Sequence, residues 1–145
     1  MKCNIILNSD HEEGVWIYAR EKTDLIEQIE RLIDEDVEKI AGYKNGSLCY
    51  LTAEDIYCVA VEDNKVYAVT EQDRWLLKQR LYQLEALLGD GFIKINQSCL
   101  VNAKKILRFD TTFSATLTVT LKNGYRDYVS RRQMRTVKER MGFYS

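Results

Sequence analysis

The chain has 145 residues and a mass of 17.0 kDa, enough for one domain with its own core, or a compact domain with a small appendage. Its 46% hydrophobic and 30% charged residues exclude a disordered chain, and no apolar run reaches the roughly 18 residues of a membrane span. The net charge of -1 argues at face value against a nucleic-acid binder, but it conceals a gradient. Residues 1–38 carry 4 basic and 11 acidic groups (net -7), residues 39–90 carry 6 and 8 (net -2), and residues 91–145 carry 11 and 3 (net +8). Only the C-terminal third is basic.

In chain order, Lys2–Leu7 and Val15–Ala19 read as short strands around the acidic turn Ser9–Gly14. The opening octet lacks the long apolar core of a signal peptide, which predicts a cytoplasmic chain. Thr23 or Asp24 can cap a helix ending near Asp36, with Leu25, Ile26, Ile29, Leu32 and Ile33 on one face and acidic residues on the other. Residues 1–40 are therefore expected as a strand-strand-helix extension, and 41–145 as the main domain.

Asn45-Gly46 between Lys39–Tyr43 and Ser47–Leu51 is a strong hairpin signal, because both residues accept positive φ. Ile56–Val61 and Lys65–Thr70 flank a second turn, and Arg74–Leu77 follows as a third short strand. Leu81, Leu84, Leu87 and Leu88 predict a helix stopped by Gly89. Phe92–Ile95 reads as a strand, and Ser98 as the cap of a short helical turn over Leu100–Asn102. Ile106–Asp110 is a strand, and Ala115–Leu121 alternates apolar and polar residues as a half-buried antiparallel strand does. Asn123-Gly124 turns the chain into Tyr125–Val129, and Ser130 caps a last helix, Arg131–Met141, ended by Gly142. The expected class is a mainly β, α+β fold built from short antiparallel strands.

Catalytic constellations are sparse. Cys3, Cys49, Cys58 and Cys99 have no metal-knuckle or Cys-x-x-Cys spacing and read as buried thiols. The single histidine, His11, sits in the acidic turn and reads as a solvated loop residue. No glycine-rich phosphate cradle is present. No enzyme activity, cofactor, metal or small-molecule substrate is expected.

The run Phe92-Ile93-Lys94-Ile95-Asn96-Gln97-Ser98-Cys99-Leu100-Val101-Asn102 resembles the signature of LytTR-type DNA-binding domains, roughly Phe-x-Arg-x-His-x-Ser-x-x-Val-Asn. Ile56-Tyr57, the helix Leu81–Leu88, Leu121-Lys122-Asn123-Gly124 and Val129-Ser130-Arg131 fall at matching places, so the resemblance covers about residues 43–143. It implies an elongated stack of β-strands whose loops enter successive major grooves of double-stranded DNA. By position it implies base contacts from Asn96 and Gln97, from Arg132 with Arg131 beside it, and from the hairpin tip at Lys65. Lys94, Lys104, Lys105, Arg108, Arg126 and Arg135 are then candidate phosphate contacts. Lys94 and Asn96 depart from the arginine and histidine usual in the family, so base preference does not transfer. The resemblance also implies a transcription regulator without a receiver domain. A homodimer on paired half-sites and a regulatory partner, such as a small membrane protein, are further expectations.

Each of these residues also has a plain structural reading. Ser98 and Ser130 can be caps only, and Asn102 can serve local backbone groups. Arg131 and Arg132 can be a solvated first turn, although two cations there oppose the helix dipole. The alternative function is a protein-interaction module whose basic face docks an acidic partner.

Overall fold

The structure, a computed structural model, describes residues 2–10, 12, 14–34, 39–111 and 115–142. His11, read above as a loop histidine, lies outside them. The chain divides into two compact units, Met1–Val37 and Glu38–Ser145.

In the first unit, α1 (Asp24–Asp34) forms where the apolar stripe predicts it. The Thr23 hydroxyl oxygen accepts from Ile26 N at 3.4 Å, so Thr23 rather than Asp24 serves the helix start. Ile26 is buried, whereas Leu25, Leu32 and Ile33 remain exposed. The two expected strands are absent: residues 2–7 and 15–19 have irregular backbone. A lone pair of short strands is marginal in water, and among the described residues of this unit no third strand is present to join them. Ile5, Ile6, Leu7, Trp16 and Tyr18 are left more than half exposed.

The second unit begins with β1 (Ile40–Lys44) and β2 (Ser47–Leu51), joined by Asn45 and Gly46 at φ of 47° and 82°. Both values are positive, as a type I′ hairpin turn requires. β3 (Cys58–Glu62) and β4 (Lys65–Val69) are joined the same way through Asp63 and Asn64, and β5 (Arg74–Leu77) follows. After α2 (Leu81–Leu88), β6 (Phe92–Asn96) and β7 (Cys99–Asn102) complete a seven-stranded antiparallel sheet in the order β2-β1-β5-β4-β3-β7-β6. A 3-10 turn over Ala103–Lys105 leads to β8 (Ile106–Thr111). With β9 (Leu117–Leu121) and β10 (Arg126–Val129) it forms a three-stranded sheet in the order β10-β9-β8. α3 (Arg131–Met141) ends the described fold, and Gly142 closes it at φ 73°.

Alternation sends side chains of the large sheet into two cores. One face, with Val59, Ala68, Phe92 and Leu100, packs on fully buried Leu84 of α2. The other, with Cys58, Ile93, Ile95 and Cys99, packs on Leu117, Val119 and Leu121 of β9 and on Val137 of α3. β7 is therefore buried on both faces, and all four of its residues are buried. This corrects the expected helical turn over Leu100–Asn102: a continuous apolar run is also the mark of a strand covered on both sides. The turn that does form, Ala103–Lys105, starts three residues later. Its cap is Asn102, whose side-chain oxygen accepts from Lys104 N, not Ser98.

Gly42 lies where β1 meets β5. A Cβ there would sit 2.7 Å from Trp75 Cβ and 3.2 Å from Leu51 Cδ1. Gly42→Ala is expected to cost about 1–3 kcal/mol through overpacking. The cost would show as a lower urea midpoint with an unchanged slope.

Candidate nucleic-acid interface

Three separate segments meet at one end of the strands. The β6–β7 connection is a tight turn in which Asn96 pairs with Cys99, leaving Gln97 and Ser98 at its tip. Val61 N donates to Ser98 O at 2.9 Å, which joins the end of β3, and so the 62–65 hairpin, to that turn. Ser130 N donates to Ile95 O at 2.8 Å, which brings the β10–α3 junction to the same place.

Asn96 does the fastening. Its Nδ2 donates to Tyr128 O at 2.9 Å, and its Oδ1 accepts from Ser98 N at 2.8 Å. It is 2% exposed, with both ends of its amide committed within the protein. The expectation of a base contact from Asn96 is corrected on that ground: the side chain shapes the turn. Gln97 beside it is exposed. Asn96→Ala should therefore lower stability by about 1–3 kcal/mol, whereas Gln97→Ala should leave the melting temperature within about 2 °C. Thermal unfolding of the two variants tests this division.

The start of α3 is electrically unusual. Ser130 occupies the N-cap position, but its hydroxyl makes no capping bond, and no acidic residue lies in the first turn. Arg131 and Arg132 are exposed there, and no hydrogen bond or ion pair to another described residue holds either guanidinium. Both cations add to the positive end of the helix dipole, which favours an anion in front of them. At the hairpin tip Lys65 is exposed. The adjacent Glu62 is engaged by Arg74 at 2.8 Å, and that guanidinium also lies 4.3 Å from the Tyr67 ring centroid. Lys94 is half-buried in the middle of β6, and Arg135 sits one turn along α3 in an exposed pair with Glu139 at 3.2 Å.

The remaining cations do not join this end. Lys104 and Lys105 lie at the opposite end of β7, and Lys105 Nζ sits 4.9 Å from the Tyr57 ring centroid. Arg108 and Arg126 both pair in register with Thr120, toward that far end, and Arg108 is bonded to Asp110 at 3.0 Å. The basic third is thus two groups of charge rather than one patch.

Arg140 is a contributor that charge counting missed. It donates to Phe92 O at 3.2 Å and to Asp90 O, clamping the end of α3 to the start of β6. Nothing in the sequence pattern separates it from the phosphate candidates. The cysteines divide as well. Cys58 and Cys99 are buried, as expected, but Cys49 is half-buried and Cys3 exposed. A hydrogen bond with Cys58, and then burial, push the Cys99 thiol well above its ordinary value, so it stays protonated.

In this mainly antiparallel β domain, exposed Lys65, Arg131 and Arg132 thus stand at the ends of elements that meet at the 97–98 turn. The described α-helices are separated by strands, so no two of them form a helix-turn-helix pair. The family model of the LytTr DNA-binding domain matches residues 46–142, and the chain belongs to that family. It is 29% identical, over 97% of its length and 98% of theirs, to proteins of Staphylococcus aureus strains NCTC 8325 and MSSA476 that are named uncharacterized HTH-type transcriptional regulators. Its fold is that of a solved LytTr DNA-binding domain of a Bacillus cereus response regulator. The TM-score is 0.68 at 23% identity, over 72% of this chain and 97% of that one.

Proposed function

We propose that the chain is a transcription regulator that reads double-stranded DNA in a sequence-specific way, with the loops gathered at the 97–98 end of the large sheet. The observation that carries this is the hydrogen-bonded meeting of the 96–98 turn with the Tyr128–Arg132 junction. It ties the turn that carries exposed Gln97 to a helix start without a side-chain cap, where Arg131 and Arg132 have no ion pair among the described residues. Gln97 suits the N6 and N7 atoms of adenine, and Arg132, with Arg131, suits the O6 and N7 atoms of guanine. Lys65, Lys94 and Arg135 supply phosphate contacts that position the domain without reading sequence. Asn96 acts through the turn it holds.

Lys104, Lys105, Arg108 and Arg126 fall outside this face and serve the protein or distant phosphates. The acidic, apolar-rich first unit suits contact with a second copy or a protein partner. Its charge also disfavours non-specific association with DNA. A cytoplasmic location and a homodimer on paired half-sites belong to the same reading.

Mobility shift with the chain's own upstream region against random duplex DNA, at one salt concentration, tests the proposal. The expected result is a preference of about 1,000-fold or more, superimposed on a steep salt dependence. Equal affinity for both DNAs would remove it.

A further inference from the structure

β2 is the outer strand of the seven-stranded sheet and, among the described residues, pairs with β1 alone. The other sheet margins are covered or charged. β6 and β10 are tied to each other through the bonds from Ser130 N and Asn96 Nδ2. β8 carries Arg108 and Asp110. β2, with the sequence Ser-Leu-Cys-Tyr-Leu, has no charge and no proline, and its ladder with β1 has no bulge. Leu48 and Tyr50 are 48% and 64% exposed on it. Edges of this kind are normally blunted in monomers, because their free backbone groups template another strand.

The register tells which groups the ladder with β1 leaves over; of these, Tyr50 O takes a weak contact from Cys49 Sγ at 3.9 Å. The two-residue Asn45-Gly46 turn makes Lys44 and Ser47 a hydrogen-bonded pair, so Gly42 and Cys49 are one also, and Tyr43 and Leu48 are not. The N–H and C=O groups of Ser47, Cys49 and Leu51 therefore face β1, while those of Leu48 and Tyr50 face outward.

We propose that β2 pairs antiparallel with β2 of a second copy, about a two-fold axis at Cys49. Leu48 of each copy then lies opposite Tyr50 of the other, and each pair exchanges two N–H to C=O bonds. Leu48 and Tyr50 stand one residue either side of Cys49, so this register sets an aliphatic side chain against an aromatic ring twice over. A slip of one residue would oppose free backbone groups to bonded ones. The uncharged strand brings no like charges together when it meets its own copy, as an isologous contact requires. Cys49 meets Cys49 in a non-hydrogen-bonded pair, with about 4.5 Å between Cα atoms, within the range a disulfide spans. One five-residue ladder falls short of the roughly 1,200 Å² of a standard stable interface, so the free dimer is weak. It gains strength where two copies are held close, as on adjacent DNA sites. That last step rests on the DNA-binding reading; the pairing itself does not.

The test uses the full chain carrying Cys3→Ser, with Cys58 and Cys99 buried, treated with copper-phenanthroline in air. Two Cys49 thiols give up two electrons and two protons to oxygen and form one S–S bond. A reducible dimer that disappears with Cys49→Ser is expected. The double variant Leu48→Lys/Tyr50→Lys sets lysine opposite lysine in both pairs. It should weaken dimerisation in sedimentation roughly tenfold while leaving the melting curve in place. Mixing it with Leu48→Glu/Tyr50→Glu should restore a cross-linked heterodimer. A chain monomeric at every concentration overturns the proposal, as does a dimer without a Cys49–Cys49 link or a link indifferent to the lysines. A Cys3–Cys49 link in the unsubstituted chain would assign the edge to the N-terminal segment and overturn it too.

Discussion

Replacing Asn102 by alanine is expected to lower the free energy of unfolding by about 3 kcal/mol and the melting temperature by roughly 10 °C. Asn102 is 5% exposed and serves three backbone groups. Its Nδ2 donates to Ile56 O at 3.0 Å and to Ala53 O at 3.2 Å, and its Oδ1 accepts from Lys104 N at 3.1 Å. One amide thus joins the loop before β3 to the turn after β7. Alanine leaves the buried Ile56 carbonyl without this donor and the turn without its cap, and each orphaned group costs about 1–3 kcal/mol. Calorimetry on the full chain measures the effect. A loss below about 1 kcal/mol would mean that water replaces the amide and that Asn102 is not a structural tie.

Replacing Arg132 by alanine should act in the opposite sense on the two observables. Removing a cation from the first turn of α3 relieves its opposition to the helix dipole, which is worth about 0.3–1 kcal/mol of added stability. The same change should cost about 1–3 kcal/mol of base discrimination at one operator position, because a bidentate pair to guanine is lost. Binding to a set of single-base operator variants separates this from loss of a phosphate contact. With the base contact gone, the variants at one position bind alike. With only a phosphate contact gone, every sequence weakens equally and the salt slope falls by about one. A variant that loses DNA affinity while melting no lower than the parent also cannot owe the loss to misfolding.

Much of this fold was legible because its signals are local. Asn45-Gly46 carries its conformation in two residues, and the hairpin formed with β2 at its expected bounds. α2 and α3 also have their expected bounds, since the leucine spacing and the glycines Gly89 and Gly142 punctuate them. The failures fall where burial or pairing depends on distant partners. Leu100–Asn102 became a strand because two cores enclose it, which no window of a few residues reveals. Residues 2–7 and 15–19 have strand-like composition but, among the described residues of their unit, no third strand to pair with.

The candidate site divides the same way. Gln97 lies in the β6–β7 turn, Lys65 at the start of β4 and Arg131 and Arg132 at the start of α3, and all four are exposed. Asn96 follows the same motif, yet its polar atoms are consumed by nearby Ser98 and by Tyr128, which lies 32 residues away. Charge alone grouped Lys104, Lys105, Arg108 and Arg126 with the loop cations, because a net charge of +8 over residues 91–145 has no direction. The strand register supplies the direction and splits the charge between two ends.

In the proposed complex, DNA lies against the end of the domain that carries Gln97 and Arg132. A photoreactive benzophenone side chain placed at position 97, at position 132, or at exposed Lys122 in the β9–β10 turn at the far end, tests it within the bound complex. Cross-links to operator DNA from positions 97 and 132, and none from 122, are expected. Cross-links from 122, with none from 97 and 132, would contradict it.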